Sequence, residues 1–529
     1  MKILLLYPEI PDTFWSFNYA LKFILRKANF PPLGLLTVAS LLPEGWDIRL
    51  LDMNAGRLQN SDLLWADYVF ISAMSIQSKS VEDVLERCRR LGAKTVGGGP
   101  LFTAWYDKYE QVDHLVLNEA ELTLPFFLKD LQDGKARHLY RTDGFADIRA
   151  TPIPRWDLIS KRKYASMNIQ YSRGCPFNCE FCDIVSLYGH EPRLKAKDQI
   201  IAELESLYRW GWRGNVFFVD DNFIGNRAVL KQEILPAIVE WMKARGYPFS
   251  FFTEASVNLS DDDELIRLMV EAGFNMVFIG IETPNEESLA ECGKHQNRNR
   301  DLVSCVKKLH RSGLQVQGGF IVGFDSDPES IFKTVVDFIQ ESGIVTAMVG
   351  LLTALRGTRL YKRLQGEGRI LKRDSGDNTG FSLNFIPRMD AGTLVAGYQG
   401  IIKDIYSPKN YYARVRQFLQ DFHLKARRTV RLPGWRDIYA LFKSIFHLGF
   451  VDRDYKEYWK FMFWALSRRP LLFPMAVSFA IYGYHFRKVY ESNVAFESSE
   501  ASGESDMAKD GKADLASGMV LTKEPPMGQ

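Results

Sequence analysis

The chain has 529 residues, 46% of them hydrophobic and 25% charged, an ordinary globular composition with room for several domains. Its net charge of +3 is too small to imply nucleic acid or another polyanion as a partner. Six cysteines, three of them between 175 and 182, exclude a secreted disulfide framework and read as a metal site in a reducing compartment. The opening MKILLLYPEIPD has an apolar run too short for a signal peptide, and no uninterrupted apolar stretch of about 18 residues exists to span a bilayer. The expected location is the cytoplasm, with peripheral contact at the inner face of the membrane as a variant of it.

In chain order, residues 1–134 alternate short apolar runs with helical patterns. ILLLYP, DIRLLDM, DYVFISA, KTVGGG and HLVLN have the length of buried strands, and Leu33–Leu42, Val81–Leu91 and Glu121–Leu131 have helical spacing. Strands separated by helices predict a doubly wound, Rossmann-like α/β sheet. Residues 135–163, polar and broken by Pro152 and Pro154, read as a linker. A second series fills 164–371: ASMNIQYSRG, NVFFVDDN, SFFTEAS, NMVFIGIET, VQGGFIVGF and AMVGLLTA, with helical patterns at Ile200–Trp210, Asp262–Ala272 and Glu329–Glu341. These units predict a second parallel sheet curved into a partial or full (β/α) barrel. From 372 to 487 the strand signal stops, and aromatic and basic residues follow a mostly helical pattern. The end, 488–529, has too few large apolar residues to offset chain entropy and is expected to be disordered.

GCPFNCEFC follows the first strand of the second series and sets Cys175, Cys179 and Cys182 at C-x3-C-x2-C. Three thiolates on one short loop hold three corners of an iron–sulfur cubane and leave the fourth iron open to a ligand. Phe181 supplies an apolar wall beside it. A structural zinc site is the competing reading and needs a fourth ligand, for which His190 is the candidate. Cys88, Cys292 and Cys305 are scattered and read as ordinary buried or half-buried thiols.

This spacing and placement resembles the radical S-adenosylmethionine (SAM) superfamily, whose members bind SAM at the open iron of a [4Fe–4S] cluster. The resemblance implies that Asp220, Asp221 and Asn222, after the second strand, hold the SAM amino group. It implies too that Glu254 and Glu282 meet the methionine or ribose, and that the segment Gly319–Phe324, with Gly323 in it, lies along the adenine. Taken alone, each carboxylate also reads as a strand-end cap or a solvated turn. The first sheet, through FPPLGLLTVASLLP, LLDMN, ISAMS, VGGGP and LNEAE, resembles the cobalamin-binding domain of B12-dependent radical SAM enzymes. Gly98 and Gly99 would let backbone approach that ligand, although VGGGP alone is also a tight turn. The Asp-x-His-x-x-Gly motif that supplies cobalt with a histidine in some B12 proteins is absent, because Asp52-Met53-Asn54 is followed by none. The resemblance therefore implies cobalamin without a histidine from this domain.

IQYSRGCPFNCEFCDIVSLYGHEPRLKAKDQIIAEL, GNVFFVDDNFIGNR and FIGIETP resemble the hopanoid C-2 methylases and their relatives, and the likeness continues through LLTALRGTRLYKRLQGEGRI and IYSPKNYY. Arg356 departs from it, standing where Pro often precedes Gly-Thr, and the loop 10–29 is this chain's own. The resemblance implies a C-methyltransferase acting on an unactivated carbon of a hydrophobic, hopanoid- or terpenoid-like substrate, served by an electron donor such as flavodoxin or ferredoxin. A cobalamin-dependent cyclase or rearrangement enzyme without methyl transfer, and a non-catalytic metal-binding protein with the same fold, are the alternatives. The apolar stretch Trp459–Phe486, flanked by Arg468, Arg469, Arg487 and Lys488, reads either as core helices or as a surface for membrane or greasy substrate.

Overall fold

The computed structural model describes residues 1–371, 376–377, 379–424 and 434–510. Two six-stranded parallel sheets follow one another along the chain. The first holds β1 (Lys2–Tyr7), β2 (Asp47–Asp52), β3 (Tyr68–Ser72), β4 (Lys94–Gly98), β5 (His114–Val116) and β6 (Leu139–Tyr140), in the order β2-β1-β3-β4-β5-β6. In β1 the run Ile3–Leu6 is buried throughout. Ile3 and Leu5 enter one apolar cluster while Leu4 and Leu6 enter the other, as a strand covered by helices on both faces requires. Helices Leu33–Leu41, Ser78–Leu91 and Ala120–Gln132 supply that cover. β6 lies inside the span expected to be a linker and pairs with β5; two residues are too few to carry a hydropathy signal. Strand order reverses between β1 and β3, so the carboxyl ends of these strands open a crevice there.

The second sheet pairs β7 (Met167–Ile169), β10 (Gly214–Phe218), β11 (Phe249–Glu254), β12 (Phe274–Glu282), β13 (Gln315–Val322) and β14 (Ala347–Leu351) in chain order, all parallel. A short antiparallel pair, β8 (Ser172–Arg173) and β9 (Arg193–Leu194), brackets the cysteine loop. Among the described residues β7 and β14 are unpaired edges, so the barrel is partial. The loop that is this chain's own spans the open seam. Asn168 beside β7 donates to the Pro31 carbonyl at 3.1 Å, and Trp15 Nε1 donates to Met348 Sδ on β14 at 2.9 Å. Phe14 stacks on Phe486 at 4.3 Å and its carbonyl meets His485 Nε2 at 3.1 Å, so the last helix pins the loop.

The remaining helices, Ala391–Ile405, Pro408–Asp421, Trp435–Phe446, Tyr455–Arg468 and Phe473–Asp510, pack beside β14 and the seam. One face of the stretch Trp459–Phe486 is core. Phe461, Ala465, Leu472, Ala476, Phe479 and Phe486 are buried in the cluster that also holds the barrel strands. The last helix continues through 488–510, where a structureless tail was expected, and 511–529 lie outside the described residues.

Candidate active site

The cysteine loop leaves β8 through Gly174, at φ 97°, where a Cβ would fall 2.9 Å from the Glu191 carbonyl. Only glycine fits such a turn. Glu180 then ties the loop down, donating its N–H to the Cys292 carbonyl at 2.8 Å and accepting Arg363 in two bonds of 2.8 and 3.1 Å. Arg359 adds a bond to the Asn178 carbonyl at 3.1 Å. The block LRGTRLYKRL thus wraps the loop that carries the three free thiols. Burial raises all three thiols, a cost that ligation by iron reverses. His190 is exposed, and among the described residues no three His, Cys, Asp or Glu side chains converge as a single metal ion requires. The donor set fits a cubane spread over one loop and does not fit structural zinc.

Carboxylates ring the mouth above the loop. Asp220 accepts from Ser172 N, from Ser172 Oγ at 2.6 Å and from Tyr171 N at 3.3 Å, and burial pushes it up to about 7. Asn222 Oδ1 accepts from Ser256 N at 3.2 Å. These two side chains therefore brace neighbouring strand ends. Asp221 accepts from Gly174 N at 3.0 Å, and burial pushes it to about 6. Glu254 borders a cavity inside the barrel, and among the described residues its carboxylate accepts no hydrogen bond. Burial, then Asp221 and Asp220, push it up to about 8. Glu282 sits at φ 65°, a left-handed geometry that costs an L-residue roughly 1–2 kcal/mol. It pairs with Lys294 at 2.6 Å. A Cβ at Gly280 would overlap both partners, so glycine leaves the room they occupy. Burial alone would lower Lys294, but Glu282 and Cys179 outweigh it and hold the ammonium charged. The sequence reading missed Lys294, because a lone lysine in a loop carries no pattern. Gly323, at φ 106°, donates its N–H to Asp327 at 2.9 Å, and Phe181 lies 6.3 Å from Phe324 beside it.

Where the two sheets meet, a cavity of about 510 Å³ is lined by Tyr7, Asn54, Ser72 and Met74 at the carboxyl ends of the first sheet and by Asn168 and Phe217 of the second. Among the described residues no histidine lines it. Asp52 accepts from Asn54 N at 2.9 Å and from Tyr164 Oη at 3.0 Å, a closed acid–amide–phenol link where other B12 proteins carry the histidine. Gly99, at φ 88°, would set a Cβ 2.7 Å from Ser72 Oγ, and Gly98 one 3.0 Å from the Val116 carbonyl. Close approach to neighbouring strands, β5 for Gly98 and the end of β3 for Gly99, accounts for both glycines. Glu119 and Glu121 do more than the sequence showed. Glu119 is buried and binds Arg173 at 2.9 Å and Arg193 at 2.6 Å, while Glu121 binds Arg173 at 3.0 Å. The first sheet thereby grips both strands that bracket the cysteine loop. Arg356 makes a similar joint, binding Asp107 at 2.6 and 3.1 Å.

Inside the barrel lies a second cavity of about 290 Å³, reaching Glu254. Its walls are Phe217 and Phe252, stacked 4.8 Å apart, with Phe30, Phe278, Trp15 and Tyr482.

The B12 binding domain family matches residues 24–128, the radical SAM superfamily residues 169–339 and a domain of unknown function residues 358–497. An uncharacterized methyltransferase of Synechocystis, sll1242, is 39% identical over 93% of this chain and 92% of its own. Hopanoid C-2 methylase of Rhodopseudomonas palustris is 34% identical over 88% of this chain and 90% of its own. The chain belongs to this family of B12-binding radical SAM enzymes. Its fold is similar to that of OxsB, a cobalamin-dependent S-adenosylmethionine radical enzyme solved with aqua-cobalamin bound, at a TM-score of 0.60 and 15% identity over 93% of this chain and 80% of that one. This B12-binding radical SAM enzyme works with a [4Fe–4S] cluster, SAM and cobalamin, and it is related to methyltransferases. Among its described residues no helix is long and apolar enough to cross a membrane.

Proposed function

We propose that the enzyme is a C-methyltransferase for an unactivated carbon of an apolar polycyclic lipid of hopanoid or terpenoid type. The observation that carries this reading is the barrel lumen. Burial alternates along β11, where Ser250, Phe252 and Glu254 face inward and Phe249, Phe251 and Thr253 are buried outward. Yet the inward residues at its centre, and those of β10 and β12, are Phe252, Phe217, Met276 and Phe278. Aromatic side chains facing open space suit an apolar ligand, each gaining about 25 cal/mol per Å² of apolar area covered.

In this reading Cys175, Cys179 and Cys182 hold the cluster with Phe181 as its apolar wall. Asp221, Glu254 and Glu282 face SAM, Lys294 compensates the carboxylates, and Asp220 and Asn222 position the strand ends around them. The Gly323 turn lies along the adenine. Cobalamin would be held in the cavity between the sheets, with no histidine donated by the Asp52–Asn54 loop. When bound and reduced by a flavodoxin- or ferredoxin-type donor, these cofactors supply hydrogen abstraction and a methyl group. The protein's own task is to hold the substrate carbon between the carboxylate mouth and the inter-sheet cavity, and to exclude water with Trp15, Phe30 and Tyr482. The two cavities share Trp15, Asn29, Phe30 and Phe217 as walls, which supports one substrate reaching both. The test is reconstituted enzyme with SAM, methylcobalamin and a strong reductant, offered hopanoid-bearing vesicles or a soluble extract in parallel. Methylation of the lipid is the expected result; methylation only in the soluble extract rejects the substrate class.

A further inference from the structure

The helix Trp435–Phe446 buries only Ala440 and Ser444. Its large apolar residues point outward: Trp435 is 63% exposed, Phe442 65% and Phe446 59%, and Phe450 in the following turn reaches 69%. Ile438 and Tyr439 are exposed as well, so the spacing 435, 438, 439, 442, 446 sets one continuous stripe on a helix. The stripe extends beyond the helix. Phe450 meets Trp459 edge-on at 5.9 Å, Trp459 stacks on Phe463 at 5.5 Å, and Phe463, Leu466 and Leu471 are exposed. A surface of this breadth on a folded chain marks a binding face.

Charge identifies what it binds. Residues 434–469 hold seven Lys or Arg against four Asp or Glu. Asp452 and Asp454 are engaged by Arg487, Glu457 by Lys460, and Asp437 accepts from Gly434 N at 2.8 Å as the helix cap. Arg453, Lys456 and Arg468 make no ion pair among the described residues. An outward apolar stripe rich in Trp, Tyr and Phe, rimmed by unpaired cations, is the pattern of a helix lying in an anionic lipid interface. We propose that this face docks the enzyme on an anionic bilayer. Docking here also has a direct relation to the barrel. Lys443, on the same helix, donates to the Lys22 carbonyl at 2.7 Å and lies 5.6 Å over Phe23. Lys22 and Phe23 belong to the seam-spanning loop whose Trp15 and Phe17 line the lumen. The face therefore brings the barrel's seam to the bilayer, which rests on the apolar-lipid reading for its purpose although not for its existence.

The test is co-flotation of the reconstituted full chain with vesicles of phosphatidylcholine, with and without phosphatidylglycerol. The expected result is binding that needs phosphatidylglycerol, weakens with salt, and falls at least about a hundredfold in the triple variant Phe442→Ser, Phe446→Ser, Phe450→Ser. Iron content and substrate-free SAM cleavage of that variant should equal those of the wild type, which also shows that it folds. Equal flotation of variant and wild type, or no flotation of either, overturns the proposal. So does sedimentation showing a wild-type dimer that the variant abolishes, because the face would then bind a second copy. Flotation without any lipid methylation leaves the docking face standing and removes the substrate reading instead.

Discussion

The two sheets share one rhythm of strand and helix, and they differ in what their inner faces meet. In the first, burial along β1 is unbroken from Ile3 to Leu6, because helices close both sides. In the second, burial alternates along β11, and Phe252 stands on its less buried face. A flat covered sheet offers a ligand only its strand ends, whereas a curved one offers a lumen whose side chains state what it is for. In the proposed reading the cofactors would sit at strand ends in both sheets, and the substrate in the lumen of the second.

The sharpest way to break this comparison is to disarm one sheet alone. Replacing Cys175, Cys179 and Cys182 with Ala should abolish iron–sulfur absorbance and all SAM cleavage while cobalamin still binds, as read by its visible spectrum. Cys292→Ala and Cys305→Ala should keep the cluster. Next in size is the joint between the sheets. Glu119→Gln leaves Arg173 and Arg193 poorly neutralised in a buried site and should cost about 3 kcal/mol in denaturant unfolding. Arg356→Pro, at a partly exposed pair, should cost no more than about 1 kcal/mol. Within the lumen, Gly319→Val would drive a side chain into Phe278, since a Cβ there lies 2.7 Å from its ring. Methyl transfer should fall by about tenfold or more, equivalent to 1.4 kcal/mol, with substrate-free SAM cleavage retained.

A further effect concerns pH. His310 and His485 are pushed down by burial to about 3 and about 4, and neither ring nitrogen of His310 has a hydrogen-bond partner among the described residues. Their ordinary value is 6.5, so below it the unfolded chain binds protons that the native chain refuses. Stability is therefore full above pH 6.5 and lost on acidification toward 4, by up to about 1.4 kcal/mol per pH unit for each histidine. His310→Phe should flatten the dependence of the unfolding midpoint in that window.

The strands were legible because each is a continuous apolar run, and the cysteine loop because three thiols in eight residues have no other common use. What escaped the sequence depends on where the chain returns to itself. Lys294 and Glu282 are paired only after β12 turns into a loop, and Glu119 finds Arg193 across 74 residues. Composition left open whether Trp459–Phe486 is core or surface. One face of that stretch is core, while Phe463, Leu466 and Leu471 continue the exposed apolar stripe of 435–450, because exposure follows which helix face the barrel covers. The seam loop, legible only as this chain's own, acquired its role once β7 and β14 proved to be edges.

The central claim is that methyl transfer and hydrogen abstraction are coupled in one turnover on a lipid held in the lumen. The most direct measurement counts S-adenosylhomocysteine and 5′-deoxyadenosine against methylated lipid in the same anaerobic reaction. The account predicts all three in equal amounts, with the lipid required for S-adenosylhomocysteine to accumulate. Formation of 5′-deoxyadenosine and altered lipid with no S-adenosylhomocysteine would contradict it and assign the enzyme to cyclisation or rearrangement.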